Sequence, residues 1–461
     1  MTRTPVRELI LIGVTGARVA TIFAWFGAAY GTRMLVEASC YALIALGLNI
    51  QWGYAGLFNV GGMGFIALAA FASMLVSHPI NWIFWEGDGP GLLGQALATL
   101  VLGIGAIWAA SQSHRVGLPR SLRTLLTLIV VAVVYLLVQA RLDPAATLIE
   151  REARFIGGLG LPSWAGWVAG GIAAGALGWA MGKITLGLRA DYMAIATLGI
   201  AEIVKAILKN ADWLTRGTLT VSPLPWPVPT PSDLGFVMSR AAYLSVTAIL
   251  IVVVYVLLQR AWHSPWGRMM RAIRDNETAA EAMGKDVNRR RLEMFVIGNF
   301  IIGVGGAALI TFASIFDPSS FAPLNHTFLI WVMVILGGSG NNLGAIIGAL
   351  LVYVIWTMSE PVTMLLFDQA AQLGGQLFGW EAPADLPTRA LQMRVFLIGL
   401  TITLVLRYAP QGLLPERPVR YELRGLALPA FAGLPKRFLR LSACRWAGLR
   451  PGLGHERSDH F

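Results

Sequence analysis

An all-α fold, a polytopic bundle of transmembrane helices, is what this sequence predicts, on three observations. Charged residues make up 13% of the 461 and hydrophobic ones 56%, whereas an ordinary soluble domain carries about 25% charge. The 51 Gly and 16 Trp are the small helix-packing and interfacial aromatic residues frequent in bilayer-spanning helices. Apolar runs recur along the whole chain, and a run of roughly 20 residues crosses about 30 Å of hydrocarbon as a helix.

The first run follows Arg3 and Arg7 with no convincing small-residue cleavage site, so it reads as an uncleaved first span. Ten runs lie near residues 9–29, 33–50, 59–77, 91–110, 121–140, 164–181, 192–208, 241–261, 292–314 and 390–408. Two shorter ones, 323–338 and 343–358, flank Gly337-Gly338-Ser339-Gly340-Asn341-Asn342, whose glycines indicate a break or tight turn. If both cross, the count is twelve; if they form one broken or re-entrant element, it is ten or eleven.

Short cytoplasmic loops accumulate Lys and Arg, and twelve crossings with an internal N-terminus satisfy that asymmetry. The loop over 262–291 then lies inside with Arg268, Arg271, Arg274, Lys285, Arg289, Arg290 and Arg291. A membrane domain, 1–408, is followed inside by a basic tail, 409–461. Residues 78–90 and the acidic loop 359–389 fall outside, as does 211–240, whose prolines at 223, 225, 227, 229 and 231 suggest an extended surface lid or a plain linker. Residues 111–163 look expanded. The net charge of +11 is that of cationic loops facing anionic lipid and does not call for nucleic acid. Two cysteines, Cys40 and Cys444, supply neither a disulfide framework nor a metal site.

Several chemistries lack their residues. Neither Gly182-Lys183 nor Gly284-Lys285 is followed by the Ser or Thr of a phosphate-cradling loop. Gly303-Val304-Gly305-Gly306 lies inside an apolar run, where helix packing explains it better than a dinucleotide site. The six His have no zinc-like spacing, so no cofactor or metal is expected.

Ionisable groups inside a bilayer cost several kcal/mol unless they pair or work. Glu202 and Lys205, one helical turn apart, either neutralise each other as a structural pair or line a translocation path. Arg18 and Glu37 sit in the first two runs, where snorkelling or mutual pairing accounts for them.

The most informative stretch is Ser264-Pro265-Trp266-Gly267 through Gly284. It reads as two short helices, the second capped by Asp275 or Asn276, favoured by Glu277 at its positive end, and closed by Gly284 in the left-handed position. Its small face, Ala279, Ala280, Ala282 and Met283, is shaped to enter a partner's groove, although an amphipathic helix on lipid headgroups has the same spacing.

Asn276, Glu277, Thr278, Ala279, Ala280, Glu281, Ala282, Met283 and Gly284 resemble the EAA loop of bacterial ABC importer permeases, with Thr278 where Glu is usual and Glu277 one place earlier. That departure is similar to the branched-chain amino acid permeases of the LivM type. Leu188-Arg189-Ala190-Asp191-Tyr192-Met193-Ala194-Ile195-Ala196-Thr197-Leu198-Gly199, Ala45-Leu46-Gly47-Leu48-Asn49, Gly53-Tyr54-Ala55-Gly56-Leu57 and Val334-Ile335-Leu336-Gly337-Gly338-Ser339-Gly340 resemble that family's other motifs.

The resemblance implies an ABC importer permease fold in the bacterial inner membrane. It further implies a related second permease of the LivH type, two cytoplasmic ATPases that dock on 276–284, and a periplasmic binding protein. The chain itself would be a transport subunit without enzymatic activity. Asn49 and Gly61, in and after the early motif, join Glu202 and Lys205 as path candidates. Branched-chain amino acids are the expected cargo, with urea or short amides as the alternative. An ion-coupled secondary transporter is a separate reading.

Overall fold

Every predicted run is helical, and the departures lie where helices break. The computed structural model describes residues 4–112, 119–378 and 386–416; extended pairing among them is confined to two isolated bridges, Ile80 with Gly157 and Val221 with Phe316. α1 (Thr4–Phe26) and α2 (Ala28–Asn49) meet at Gly27, and α2 runs on through a π turn, Ile50–Tyr54. An irregular stretch, 55–61, precedes α3 (Gly62–Ser77), and the short α4 (Trp82–Glu86) leads into α5 (Gly89–Ser111) and α6 (Arg120–Glu152). Next come α7 (Ser163–Thr185), α8 (Ala190–Asn210), the single turns α9 (Asp212–Thr215) and α10 (Pro231–Leu234), and α11 (Phe236–His263). α12 (Pro265–Asp275) and α13 (Glu277–Ala282) link α11 to α14 (Val287–Ala313). A second π turn, Leu324–Phe328, opens α15 (Leu329–Gly337), followed by α16 (Asn342–Phe378) and α17 (Leu386–Tyr408).

The core forms around α14, which packs on α2, α3 and α7. Apolar attraction between helices is weak in lipid, so close backbone approach supplies the packing energy. A methyl placed on Gly303 would stand 2.6 Å from Ala174 Cβ, and one on Gly305 would stand 2.7 Å from Ile44 Cγ1. Gly303-Val304-Gly305-Gly306 is therefore a packing surface.

Contacts define two ends. At one, Val221 pairs with Phe316, Ser163 Oγ donates to Pro225 O at 2.6 Å, and Asn81 Nδ2 donates to Ala153 O and Phe155 O. At the other, Arg274 donates to Gly53 O and Arg291 Nη1 donates to Glu277 Oε1 at 2.5 Å. The chain passes between these ends alternately. Residues 314–338 make one such pass although, apart from a 3-10 turn at Pro318–Ser320, only 324–337 are helical: Phe316 lies at the first end, while Gly340 N reaches Asn49 at the second. Fourteen helical residues span about 21 Å, so the rest of this pass is irregular chain.

Six helices among the described residues are long and apolar enough to cross a membrane by length and composition. Two of these, α5 and α6, form an antiparallel hairpin, with Val134 against Gly103 and Arg141 near Gln95. The rest of the chain encloses little of it.

The structure corrects three expectations. The acidic loop 359–389 is largely helix, because α16 continues to Phe378 through Pro361; residues 379–385 lie outside the described ones. The Pro-rich segment is no free lid: Val221 and Leu224 are buried, and Trp226 Nε1 donates to Ser314 Oγ at 2.6 Å. Arg18 and Glu37 do not pair, since Glu37 binds Arg33 at 3.1 Å and accepts from Tyr353. The chain from 409 to Glu416 stays on the bundle: Leu413 N and Leu414 N donate to Leu336 O and Gly337 O, satisfying carbonyls at the end of α15. The basic residues from Arg417 onward lie outside the described residues.

Candidate functional site

The two helices expected between residues 264 and 284 are present and capped. Ser264 Oγ accepts from Gly267 N at 3.4 Å, and Asn276 Oδ1, not Asp275, accepts from Ala279 N at 3.0 Å. Gly284 closes α13 at φ +74°, where a side chain would be strained. Gly267, Met270 and Ile273 bury one face of α12. A Cβ at Gly267 would stand 2.4 Å from Trp262 O, so only glycine allows α12 to lie this close to the end of α11. Arg271 spreads over the Trp262 ring at 4.3 Å.

The small face of α13 is divided in a way that helical spacing alone did not reveal. Ala280 is buried in its own chain, at 7% exposure, and belongs to the core. Thr278, Ala279, Glu281, Ala282, Met283 and Gly284 are exposed, Met283 at 78%. Ala280 therefore holds α13 down, and the free surface is the one around Ala279 and Met283. Glu277 is tied to Arg291 at the start of α14.

Arg274, the last basic residue of α12, reaches furthest into the bundle. Its Nη1 donates to Gly53 O in the π turn, and its Nη2 lies 2.9 Å from Glu416 Oε2. Asn49, fully enclosed, accepts from Gly340 N at 2.9 Å and donates to Asn342 Oδ1 at 3.0 Å. The α12 helix, the end of α2, the 338–342 turn and the 411–416 segment thus meet at one junction. Displacing α12 and α13 would pull directly on the breaks in two spans.

A second polar knot lies deeper. Asn59 Nδ2 donates to Gln51 Oε1 at 2.8 Å, and Gln51 Nε2 donates to Asn299 Oδ1 at 2.9 Å. The N–H groups leading into α3 are taken by three side chains: Val60 N by Thr197 Oγ1, Gly61 N by Asn59 Oδ1 and Met63 N by Thr327 Oγ1. Helix starts leave such donors unpaired, and inside a membrane they must find partners. Gly61 is enclosed here, its would-be Cβ 2.6 Å from Thr197 O. Gln51, Asn59, Asn299 and Thr327 were not singled out from sequence; amides and hydroxyls beside glycine breaks in apolar runs were the available signal.

Of the path candidates, Asn49 and Gly61 are buried junction residues, whereas Glu202 is exposed and Lys205 half-buried on α8. No ion pair joins Glu202 to Lys205 among the described residues. In this structure the two side chains leave α8 one turn apart with no ion pair between them.

Comparison with known proteins agrees with this architecture. Residues 31–157 and 153–406 match the family model described as branched-chain amino acid transport system, permease component. A probable branched-chain amino acid transport permease protein LivM of Methanocaldococcus jannaschii is 23% identical over 404 residues, 87% of this chain and 94% of that protein. The high-affinity branched-chain amino acid transport system permease proteins LivM of Escherichia coli and Salmonella typhimurium are each 27% identical, over 58% of this chain and 60% of their own length. No solved structure matches. With most of its length covered by that family model, and with multiple apolar helices of membrane-crossing length, the chain belongs to the branched-chain amino acid transport permease family and is a multi-pass membrane protein.

Proposed function

We propose that this chain is one of two permease subunits of an ABC importer, carrying branched-chain amino acids handed over by a periplasmic binding protein across the bacterial inner membrane. Two cytoplasmic ATPases supply the energy, and both termini face them. The carrying observation is the α12–α13 pair. It presents a free surface around Ala279 and Met283, while Arg274 and Arg291 tie the same pair to the π turn, Glu416 and α14.

Closure of the ATPases moves α12 and α13. Arg274 passes that motion to Gly53 and, through Glu416, to the segment hydrogen-bonded to the end of α15. The π turn, the 338–342 turn and the irregular parts of the third and tenth passes are where the bundle bends, since their backbone groups depend on side chains that can exchange partners. A neutral zwitterion with an aliphatic side chain suits walls with few fixed charges.

The test is uptake of radiolabelled leucine into proteoliposomes containing the co-purified permeases and ATPases, with binding protein outside and ATP inside. Uptake that requires both and resists excess urea is expected. Uptake driven by an ion gradient without ATP would overturn the proposal.

A further inference from the structure

The outward face of α8 does not suit lipid. Its buried side, Met193, Ala194, Thr197, Ala201 and Leu208, packs inward, with Gly61 and Gly64 of the α3 region against Thr197 and Ala201. The opposite stripe, Ile195, Gly199, Glu202 and Ala206, is exposed. Glu202 stands about 18 Å from the start of α8 and about 12 Å from its end. Its short side chain cannot snorkel to either surface from there. A carboxylate facing hydrocarbon costs several kcal/mol, so such residues face protein or water.

A second observation concerns the same face. The stretch 317–323, irregular apart from one 3-10 turn at Pro318–Ser320, meets α8 at that turn, between Phe316, whose ring neighbours Phe71 of α3, and His326, whose carbonyl lies against Gly62. That places it within the length of α3, inside the thickness of the bundle. Ser319 and Ser320 are exposed there. Non-helical backbone at membrane depth is tolerated only against protein or water.

We infer that α8's outer stripe and the stretch 317–323 form the seam on which the second permease subunit seats. The inference rests on the importer reading above. Glu202 is the charged group on this stripe, so the complementary surface is an apolar helix with a cation or amide donor level with Glu202. Gly199 and Ala206, on either side of Glu202, let that helix approach; a Cβ at Gly199 meets nothing within 4 Å.

The test uses the assembled importer, this chain co-expressed and purified with its second permease and ATPases, in a Cys40→Ala, Cys444→Ser background. Gly199→Cys and Ala206→Cys should form a disulfide or short bismaleimide product with a cysteine scanned along the second permease. Trp108→Cys on the exposed face of α5 should form none. Glu202→Gln should leave the abundance of this chain unchanged while lowering the co-purified second permease at least fivefold, and Glu202→Lys should abolish it. A spin label at position 199 as accessible to oxygen as one at 108, or products only between two copies of this chain, would overturn the seam. Binding-protein-stimulated ATP hydrolysis of the same preparations separates the two readings. If it persists while position 199 faces lipid, only the seam is wrong; if the parent complex shows none, the importer reading fails and the seam with it.

Discussion

Replacing Arg274 by Met should destabilise the chain more than replacing its ion-pair partner Glu416 by Gln, and the difference should report the bond to the π turn. The two side chains are 24% and 27% exposed and 2.9 Å apart. Exposed ion pairs contribute about 0.2–1 kcal/mol, and losing one partner of a fully buried pair costs about 3–5 kcal/mol. A pair about three-quarters buried falls between these, so Glu416→Gln should cost about 1–1.5 kcal/mol. Arg274→Met also leaves Gly53 O without its charged donor, which adds about 1–1.5 kcal/mol and brings its total to about 2–3 kcal/mol. In the double variant the pair is lost only once, so a coupling energy near 1 kcal/mol should appear in a double-mutant cycle. Unfolding midpoints in an SDS titration of the purified chain measure all three. In the reconstituted importer, ATP consumed per leucine transported should rise in both single variants, because α12 no longer grips the spans. Equal costs for the two single changes, or a coupling energy indistinguishable from zero, would refute the reasoning.

Ala279→Glu and Met283→Glu should prevent co-purification of the ATPases without moving the unfolding midpoint, whereas Ala280→Glu should lower that midpoint through a stability loss of about 2–4 kcal/mol from burying a charge; the reverse pattern would return Ala280 to the docking face. Gly64→Ala should cost about 1–3 kcal/mol in the same titration, since its Cβ would stand 2.6 Å from Ala201 Cα and overpacking at backbone cannot relax cheaply. Single cysteines at Asp275 and Ser232 should react with a membrane-impermeant maleimide from opposite sides, and reaction of both from one side would break the alternation of passes. Gly284→Ala should reduce ATPase co-purification while a Gly284→Asn variant retains most of it, because Asn tolerates positive φ better than Ala; equal loss in both would separate docking from that backbone angle.

The sequence by itself determined the all-α fold class, the recurring apolar runs that become helices and the two short helices between residues 264 and 284. Each depends on local quantities: hydrophobic run length, glycine breaks, and Asn276 or Gly284 at a helix boundary. Family motifs around Thr197 and Gly337 were legible for the same reason. Only the tertiary structure decided what each polar residue faces. Helical spacing placed Glu202 and Lys205 one turn apart, yet α8 leaves Glu202 exposed on its outer side and Lys205 half-buried, with no ion pair between them. The same spacing grouped Ala280 with Ala279, but α13 lies against its own bundle on one side. Gln51 and Asn59, eight positions apart, meet Asn299 from the far half of the chain, and no local pattern announces their knot. The physical reason is that periodicity records which residues share a face, while the partner of that face is set by contacts hundreds of positions away.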